Sequence, residues 1–314
     1  MNRWTHPTLT RRVVGKAAME RSKKRELAAL SRIFAPTVVR EIGMTGRSAL
    51  LARLLDEANI LASLKSDATL SDAFEEAFAR LRSVGNRDDY VYRSAITQKI
   101  ALGRHNLRSA TLLNEVRARN SKADVVIFNG TATAYEIKSE RDSLQRLANQ
   151  LSDYLAVFAS VNVVTSPNQA VAVARLAPSD VGVLTLTERH QLHVVREAVD
   201  CPERTNPLAI LQSLRAEEAI SILRALSVDI PQVPNTKIWS VLRELFAVQD
   251  AAAVHNEMVR VLKVSRSSAA LEPLVKQLPS PLAALVLSTN PSMRARSNLK
   301  AAIQLPLSVV LAWG

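Results

Sequence analysis

Two acidic residues and a lysine lie in a short apolar hairpin in the middle of the chain. Asp124 opens the apolar run 123–128, and Glu136 and Lys138 lie two residues apart in the run 134–138. Strand side chains alternate between faces, so Glu136 and Lys138 point the same way. Two carboxylates and an ammonium in mostly apolar surroundings are costly unless their charge is compensated. A divalent cation is the usual compensation for two carboxylates, so these residues predict a metal site.

Apolar periodicity around the hairpin predicts the elements that position these residues. A helix over Leu107–Val116 carries Glu115 just before the hairpin, and a helix over Asp142–Phe158 follows it. Two β-branched runs, Val161–Thr165 and Val181–Thr187, predict further strands. The order helix, strand, strand, helix, strand, strand implies a small α/β core with a mixed sheet.

Helical periodicity on both sides of this core divides the chain into three parts. We expect a helical N-terminal region over 1–89, an α/β core over 90–200 and a helical C-terminal region over 201–314. The polar stretch 84–89 marks the first boundary. Outside the core, the periodicity predicts helices over Glu26–Val39, Ser48–Leu64, Ser71–Leu81, Pro207–Leu226, Thr236–Val248, Ala251–Val264 and Ala269–Leu278.

The composition favours an anionic partner. The chain has 314 residues and a formal net charge of +12, with a sequence pI near 10.2. Nucleic acid is the commonest polyanion, although a plain soluble basic protein has the same charge. The single cysteine, Cys201, excludes an intrachain disulfide and a cysteine-based metal site. No apolar run approaches the ~18 residues of a membrane span, so we expect no membrane partner and a cytoplasmic protein.

The candidate residues and their spacing resemble the PD-(D/E)XK nuclease superfamily, which includes restriction endonucleases and the RecB-type nuclease domain. In that superfamily an Asp opens one strand, as Asp124 does, and the next strand carries Glu-x-Lys, as Glu136–Lys138 does. A Glu often comes from the preceding helix, where this chain has Glu115. The RecB-like branch adds Gln-x-x-x-Tyr on the next helix, which matches Gln150 and Tyr154.

This resemblance covers about a third of the chain, residues 90–190. The sequence around the matching residues is similar to that of an uncharacterised bacterial family within the superfamily. One departure is the absence of a proline before Asp124, which many members also lack. The resemblance implies a restriction-endonuclease-like mixed-sheet core with the order α-β-β-α-β, flanked by the helical N- and C-terminal regions.

The resemblance also implies roles in hydrolysing a phosphodiester bond. Asp124, Glu136 and the main-chain carbonyl of Ile137 would hold Mg²⁺ or Mn²⁺. Glu115 would support a second metal ion or the hydration shell. Lys138 would orient or polarise the attacking water, or stabilise the developing charge.

Further residues are candidates for contact with the substrate. By resemblance, Gln150 and Tyr154 would position the substrate or brace the site. Arg117, Arg119 and Arg141 bracket the site in sequence and could grip phosphates that flank the scissile bond. An ordinary solvated basic face explains the same arginines equally well.

The sequence therefore favours a metal-dependent nuclease that acts on DNA rather than RNA. The resemblance alone suggests a setting in DNA repair, recombination or defence against foreign DNA. A non-catalytic nucleic-acid-binding protein on a nuclease-derived scaffold is the first alternative, and a helical interaction protein is the second. Taken singly, Asp124 could be a strand-edge acid and Glu136–Lys138 an exposed ion pair. The helical regions could dock DNA, a protein partner or a second copy of the chain.

Overall fold

The computed structural model describes residues 7–83, 85–140 and 142–314, with side chains from residue 19 onward. The chain divides into two compact units. One takes in the described residues up to Asn86 together with 277–285 and 291–314, and the other takes in 87–276 and 286–290. This division differs from the three parts expected from the sequence, which stay a prediction.

The described residues form helices and one six-stranded sheet. The α-helices are α1 (Pro7–Ile33), α2 (Pro36–Thr45), α3 (Ala49–Glu57), α4 (Leu70–Leu81), α5 (Asp89–Ile96), α6 (Leu147–Leu155), α7 (Ala170–Leu176), α8 (Pro207–Leu211), α9 (Ala216–Ala225), α10 (Ile238–Ala247), α11 (Ala251–Ser265), α12 (Glu272–Gln277), α13 (Ala283–Thr289), α14 (Met293–Ile303) and α15 (Leu307–Leu311). The strands are β1 (Thr111–Ala118), β2 (Ser121–Asn129), β3 (Thr131–Lys138), β4 (Ser160–Thr165), β5 (Gly182–Leu186) and β6 (Leu192–Arg196).

The first unit is helical, and local signals end its helices earlier than the apolar periodicity suggested. Pro36 begins α2, so the predicted helix Glu26–Val39 is split between α1 and α2. The Ser48 side chain caps α3 by accepting from the Leu51 N–H, but α3 ends at Glu57 rather than at residue 64. The last helix predicted for this region, Ser71–Leu81, matches α4 closely, and Thr69 caps α4.

No helix in the described part of the chain combines the length and apolar character that crossing a membrane requires.

The second unit is built on the sheet, whose strands lie side by side in chain order from β1 to β6. Strands β1, β2 and β3 pair antiparallel, β3, β4 and β5 pair parallel, and β5 and β6 pair antiparallel. The parallel steps require crossover connections, which α6 and α7 supply. A mixed α/β architecture with helical regions at both ends of the chain is therefore confirmed.

The predicted helix over Leu107–Val116 is wrong, because Thr111–Ala118 is strand β1. Leu112 and Val116 lie four residues apart and suit one face of a helix, but they are also an even number of residues apart and suit one face of a strand. The segment forms a strand because it pairs with β2, from Thr111–Phe128 to Ala118–Ser121. Glu115 consequently lies on a strand and not on a helix.

Other elements of the core agree with the prediction more closely. Strands β4 and β5 confirm the runs Val161–Thr165 and Val181–Thr187. Helix α6 lies within the predicted Asp142–Phe158 but is shorter, and α7 and β6 were not predicted. The order of elements therefore differs from the expected one, with three antiparallel strands before α6 and a helix between β4 and β5.

Helices from the C-terminal region share one apolar core with the sheet. Phe128 of β2 and Phe158, which precedes β4, belong to the same buried cluster as Leu223 of α9, Phe246 of α10 and Met258 of α11. The predicted helix Pro207–Leu226 is interrupted after α8 and resumes as α9. The predictions Thr236–Val248 and Ala251–Val264 agree with α10 and α11, and α12 starts later than predicted for Ala269–Leu278.

Candidate active site

Three neighbouring strands and the following helix bring the predicted site residues together. Glu115 lies on β1, Asp124 on β2, and Glu136 and Lys138 on β3. Helix α6 carries Gln150 and Tyr154. The hydrogen bonds described below join the residues of β2, β3 and α6 at one end of the β2–β3 hairpin.

Asp124 lies where pairing on both sides of β2 is interrupted. The β2–β3 pairs run from Asn129–Thr131 to Val125–Tyr135, and the β1–β2 pairs skip Asp124 and the residue opposite it. Instead of a main-chain carbonyl, the Asp124 Oδ2 atom accepts the Ile137 N–H at 2.8 Å. Strands β2 and β3 thus separate at Asp124, whereas β1 and β2 pair again from Val116–Ala123 onward. Because the N–H and C=O of one strand residue point to the same neighbour, the Ile137 carbonyl faces this opening.

Glu136 and Lys138 form a buried network with helix α6. The Lys138 Nζ atom donates to Glu136 Oε1 at 2.7 Å and to Gln150 Oε1 at 2.9 Å. The Tyr154 hydroxyl lies 2.6 Å from Glu136 Oε2 and 2.7 Å from the Lys122 carbonyl, and it can donate its one proton to either. The Glu136 and Lys138 side chains are only 3% and 8% exposed, so they are not a surface ion pair.

Burial and a neighbouring charge raise the pKa of Asp124 to about 7. The larger cause is burial, and the second is the negative charge of Glu136. The Ile137 N–H and the Arg93 guanidinium act in the opposite direction without cancelling these causes. Burial and the charge of Glu136 also raise the pKa of Tyr154, so its hydroxyl stays protonated and acts as a donor. Burial and repulsion thus make the ionised carboxylates of this site unfavourable, and a bound cation would offset that cost.

Arg93 of α5 is a site residue that the sequence analysis missed. Its Nη2 atom lies 3.5 Å from Glu115 Oε1 and 3.7 Å from Asp124 Oδ1. Its Nη1 atom lies 3.5 Å from Asn114 Oδ1. Asp88, which caps α5 by accepting the Val91 N–H, was the signal that could have predicted this helix.

Asp89, in the first turn of α5, is a second residue that was missed. Burial and the charge of Asp142 raise the pKa of Asp89. Its negative charge in turn contributes to the raised pKa of Asp124. Asp142 is itself bound to the Ser139 N–H and hydroxyl, at 2.7 and 2.6 Å, which fixes the chain directly after Lys138. The acidic environment is therefore wider than the predicted set.

Of the predicted substrate-binding arginines, the two that the structure describes, Arg117 and Arg119, make no hydrogen bond to Asp124, Glu136 or Lys138. Arg117 lies opposite Lys122 near the end of the β1–β2 hairpin, and Arg119 is in its turn with a φ of 51°. The Arg117 Nε atom donates to the Arg119 carbonyl at 3.2 Å. Arg141 lies outside the described residues. The exposed face of this hairpin is nonetheless shared by Arg117, Lys122 and Glu115.

The donor atoms present fit one hard cation. Within the ranges that the structure describes, no group of three or more His, Cys, Asp or Glu side chains is arranged to hold a metal ion. Mg²⁺ needs fewer protein ligands, because it is usually bound through one or two carboxylates and keeps several waters. Asp124 and Glu136 are two mutually repelling carboxylates beside an opening in the sheet, and the Ile137 carbonyl faces the same opening. Glu136 would have to exchange one of its present hydrogen bonds for such an ion.

Comparison with known proteins places the site within one family. The model of the family described as bacteriophage P4 protein cII matches residues 83–274, more than half of the chain. Protein cII of Enterobacteria phage P4 is 41% identical over 80 residues, which cover 25% of this chain and 30% of that protein. The chain thus aligns with less than a third of the length of this curated relative.

A solved structure, of a protein of unknown function from Silicibacter pomeroyi, is also similar. It is 22% identical, with a TM-score of 0.29, and the match covers 44% of this chain and 88% of that chain. The family match contains Arg93, Glu115, Asp124, the Glu136–Lys138 segment and the α6 residues. This chain belongs to the bacteriophage P4 protein cII family.

Proposed function

We propose that this protein is a divalent-metal-dependent nuclease that hydrolyses phosphodiester bonds of DNA. The observation that supports the proposal most strongly is the convergence of Asp124, Glu136 and Lys138 where β2 and β3 separate. The raised pKa of Asp124 indicates that the carboxylates lack a full counter-charge. The protein's net charge of +12 suits a polyanionic substrate.

Hydrolysis forms a bond between a water oxygen and phosphorus and breaks the bond to the leaving oxygen. The water loses a proton, and the leaving oxygen gains one. Asp124, Glu136 and the Ile137 carbonyl would hold Mg²⁺ or Mn²⁺, which when bound supplies charge neutralisation at the phosphate and acidifies water. Glu115, which lies on β1 opposite Asp124 of β2, would hold waters around that ion.

Lys138 has the position and the donors for the second part of this chemistry. Its ammonium is held between Glu136 and Gln150 and carries three N–H donors, of which these two contacts use two. The remaining donor can orient the attacking water or stabilise negative charge that develops on the phosphate oxygens. Gln150 and Tyr154 hold Lys138 and Glu136 in place, which makes them bracing residues in this proposal.

Non-catalytic binding of nucleic acid is a second candidate function. The Arg117–Lys122 cross-strand pair favours it, because like charges directly opposite each other destabilise a hairpin unless an anion neutralises them. Both carboxylate oxygens of Glu136 are already hydrogen-bonded, which suits a site that no longer takes a metal. Under this reading the same basic hairpin binds DNA but no strand is cut.

The test is cleavage of supercoiled plasmid, linear single-stranded DNA and an RNA of the same length, in Mg²⁺, Mn²⁺ or EDTA. Asp124→Asn removes a ligand charge, and Asp229→Asn changes an exposed aspartate of the same unit as a control. We expect metal-dependent products from the wild type and Asp229→Asn, and none from Asp124→Asn. Salt-sensitive DNA binding without products would support the second candidate, and equal cleavage by all three proteins would refute the site.

A further inference from the structure

Arg93 lies between the two carboxylates at the open side of the site. Its side chain is 19% exposed and comes from α5, which carries none of the site residues predicted from the sequence. One guanidinium nitrogen is shared between Glu115 on β1 and Asp124 on β2, at 3.5 and 3.7 Å. A second nitrogen contacts the Asn114 Oδ1 atom at 3.5 Å. One cation thus balances carboxylates from two strands.

These contacts are loose compared with the rest of the site. Hydrogen bonds between a guanidinium and a carboxylate are usually about 2.7–2.9 Å long. At the longer distances found here, Arg93 attracts both carboxylates electrostatically and leaves their lone pairs available to a metal ion. Arg93 cannot relieve a competition with such an ion by losing its proton, because arginine stays charged in proteins.

The backbone of β1 adopts an unfavourable conformation at Glu115, next to Arg93 and Asp124. Glu115 has a φ of 55°, in the left-handed region that non-glycine residues rarely adopt, and the β1–β2 pairs skip it and Asp124. Such a conformation costs roughly a factor of ten in stability or more. It places an acidic side chain, 57% exposed, within reach of Arg93 and beside Asp124. Regular pairing of β1 with β2 would avoid this cost.

We infer that the Arg93 guanidinium is the counter-charge of the metal-free site. A divalent cation displaces this guanidinium from the two carboxylates, and the guanidinium then contacts a phosphate of the nucleic-acid backbone. The inference rests on the proposed function, since it concerns the same carboxylates. In the metal-free protein Arg93 balances Glu115 and Asp124. Once a dication provides that balance, Arg93 and the ion repel each other, and the five guanidinium donors become available to an anion. Arg93 is therefore a residue that couples metal binding to DNA binding.

The coupling predicts opposite effects on two affinities. Removing a positive charge a few ångströms from the ion should tighten Mn²⁺ binding about tenfold, by Coulomb's law with screening by the surrounding water. Removing a phosphate contact should weaken DNA binding roughly fivefold when a dication is present. In EDTA, where Arg93 is occupied by the two carboxylates, the same substitution should leave DNA binding almost unchanged. A residue that only stabilised the fold would lower both affinities together.

The experiment measures the full chain by calorimetric titration with MnCl₂ and by anisotropy of a labelled single-stranded oligonucleotide in Ca²⁺ or EDTA. Arg93→Gln removes the charge, Arg93→Met does so while keeping the stem, and Arg93→Lys retains it. Arg224→Gln changes an exposed arginine of the same unit as a control. We expect tighter Mn²⁺ binding and Ca²⁺-dependent loss of DNA binding in the two uncharged variants, and values within twofold of wild type in Arg93→Lys.

The contradicting results separate this inference from the proposed function. If the wild type binds Mn²⁺ but both uncharged variants bind it equally or more weakly, Arg93 is not the counter-charge, and the nuclease proposal is untouched. A wild type that binds no Mn²⁺ overturns both. If Arg93→Gln fails to fold, as circular dichroism would show, the Arg93→Met variant decides between these outcomes.

Discussion

Two of the carboxylate–arginine pairs in the second unit differ in the pKa of the buried carboxyl group. In the pair Glu218–Arg266, between α9 and α11, the guanidinium donates to both carboxylate oxygens at 2.8 and 2.6 Å. Burial tends to raise the pKa of Glu218, but the bonds from Arg266 and from the Arg215 N–H outweigh it, and the pKa is lowered. In the pair Asp124–Arg93 the distance is 3.7 Å, and the pKa of Asp124 is raised.

This difference separates a structural ion pair from a site that is open to a ligand. Glu218 is also bound by the Ser265 hydroxyl at 2.9 Å, so its lone pairs are satisfied within the protein. One oxygen of Asp124 accepts the Ile137 N–H, the other lies 3.7 Å from the Arg93 guanidinium, and Glu136 is a repelling neighbour. A half-buried carboxylate with so little compensation marks a place where binding a cation would be favourable.

The largest expected effect is on activity at the site. Lys138→Gln should lower the rate of DNA cleavage about a thousandfold, because the ammonium that orients water or balances developing charge is lost. Lys237→Gln, at an exposed lysine of the same unit, is the matched control and should cleave like the wild type. Initial rates on plasmid DNA in Mg²⁺ measure both. Equal rates for the two variants would remove Lys138 from the mechanism.

Breaking the structural pair should affect stability instead. Glu218→Gln leaves Arg266 without its anionic partner and should lower the free energy of unfolding by about 3 kcal/mol, roughly a hundredfold in the folding equilibrium. Cleavage per folded molecule should stay unchanged. Urea unfolding followed by circular dichroism, with cleavage measured on the same preparation, checks this. A loss below about 0.5 kcal/mol would show that the pair is no more than a surface contact.

The pH dependence of metal binding should reflect the raised pKa of Asp124. A protonated carboxylate cannot hold a cation, so with a pKa of about 7 the ionised fraction rises about tenfold between pH 6 and pH 8. Mn²⁺ affinity should rise about tenfold over the same interval in the wild type. Calorimetric titration at the two pH values measures this. A flat profile would mean that Asp124 is ionised throughout the interval.

The smallest effect is expected at the bracing tyrosine. Tyr154→Phe removes the hydroxyl that reaches Glu136, and cleavage should fall about fivefold, as expected for the loss of one hydrogen bond. Tyr135→Phe changes a buried tyrosine on the opposite face of β3 and serves as the control. Cleavage rates in Mg²⁺ compare the two. A thousandfold loss in Tyr154→Phe would place the hydroxyl in the chemistry itself.

The sequence predicted the centre of this site better than its surroundings. The hairpin and the relative positions of Asp124, Glu136 and Lys138 could be predicted because strand alternation and a turn at Asn129–Gly130 determine them locally. The α6 residues followed from helical spacing. By contrast, Leu112 and Val116 suit a helix or a strand, and only pairing with β2 resolves that ambiguity.

Arg93 was beyond local reasoning for a different reason. It lies 31 residues before Asp124 in sequence, and its contact depends on how α5 packs near β1 and β2. No spacing rule relates a residue on that helix to a carboxylate on the second strand of the sheet. The raised pKa of Asp124 is equally inaccessible from sequence, because burial is its largest cause.

The most direct test of the open site is the stability of Asp124→Asn against wild type at pH 8, in EDTA and in Mg²⁺. Since the folded-state pKa of Asp124 exceeds its usual value, its ionisation lowers stability as the pH rises towards 7, and the full penalty is present at pH 8. We therefore predict that Asp124→Asn is at least as stable as wild type in EDTA. Mg²⁺ should raise the unfolding midpoint of the wild type alone. A variant that is less stable in EDTA and gains as much from Mg²⁺ would contradict the account.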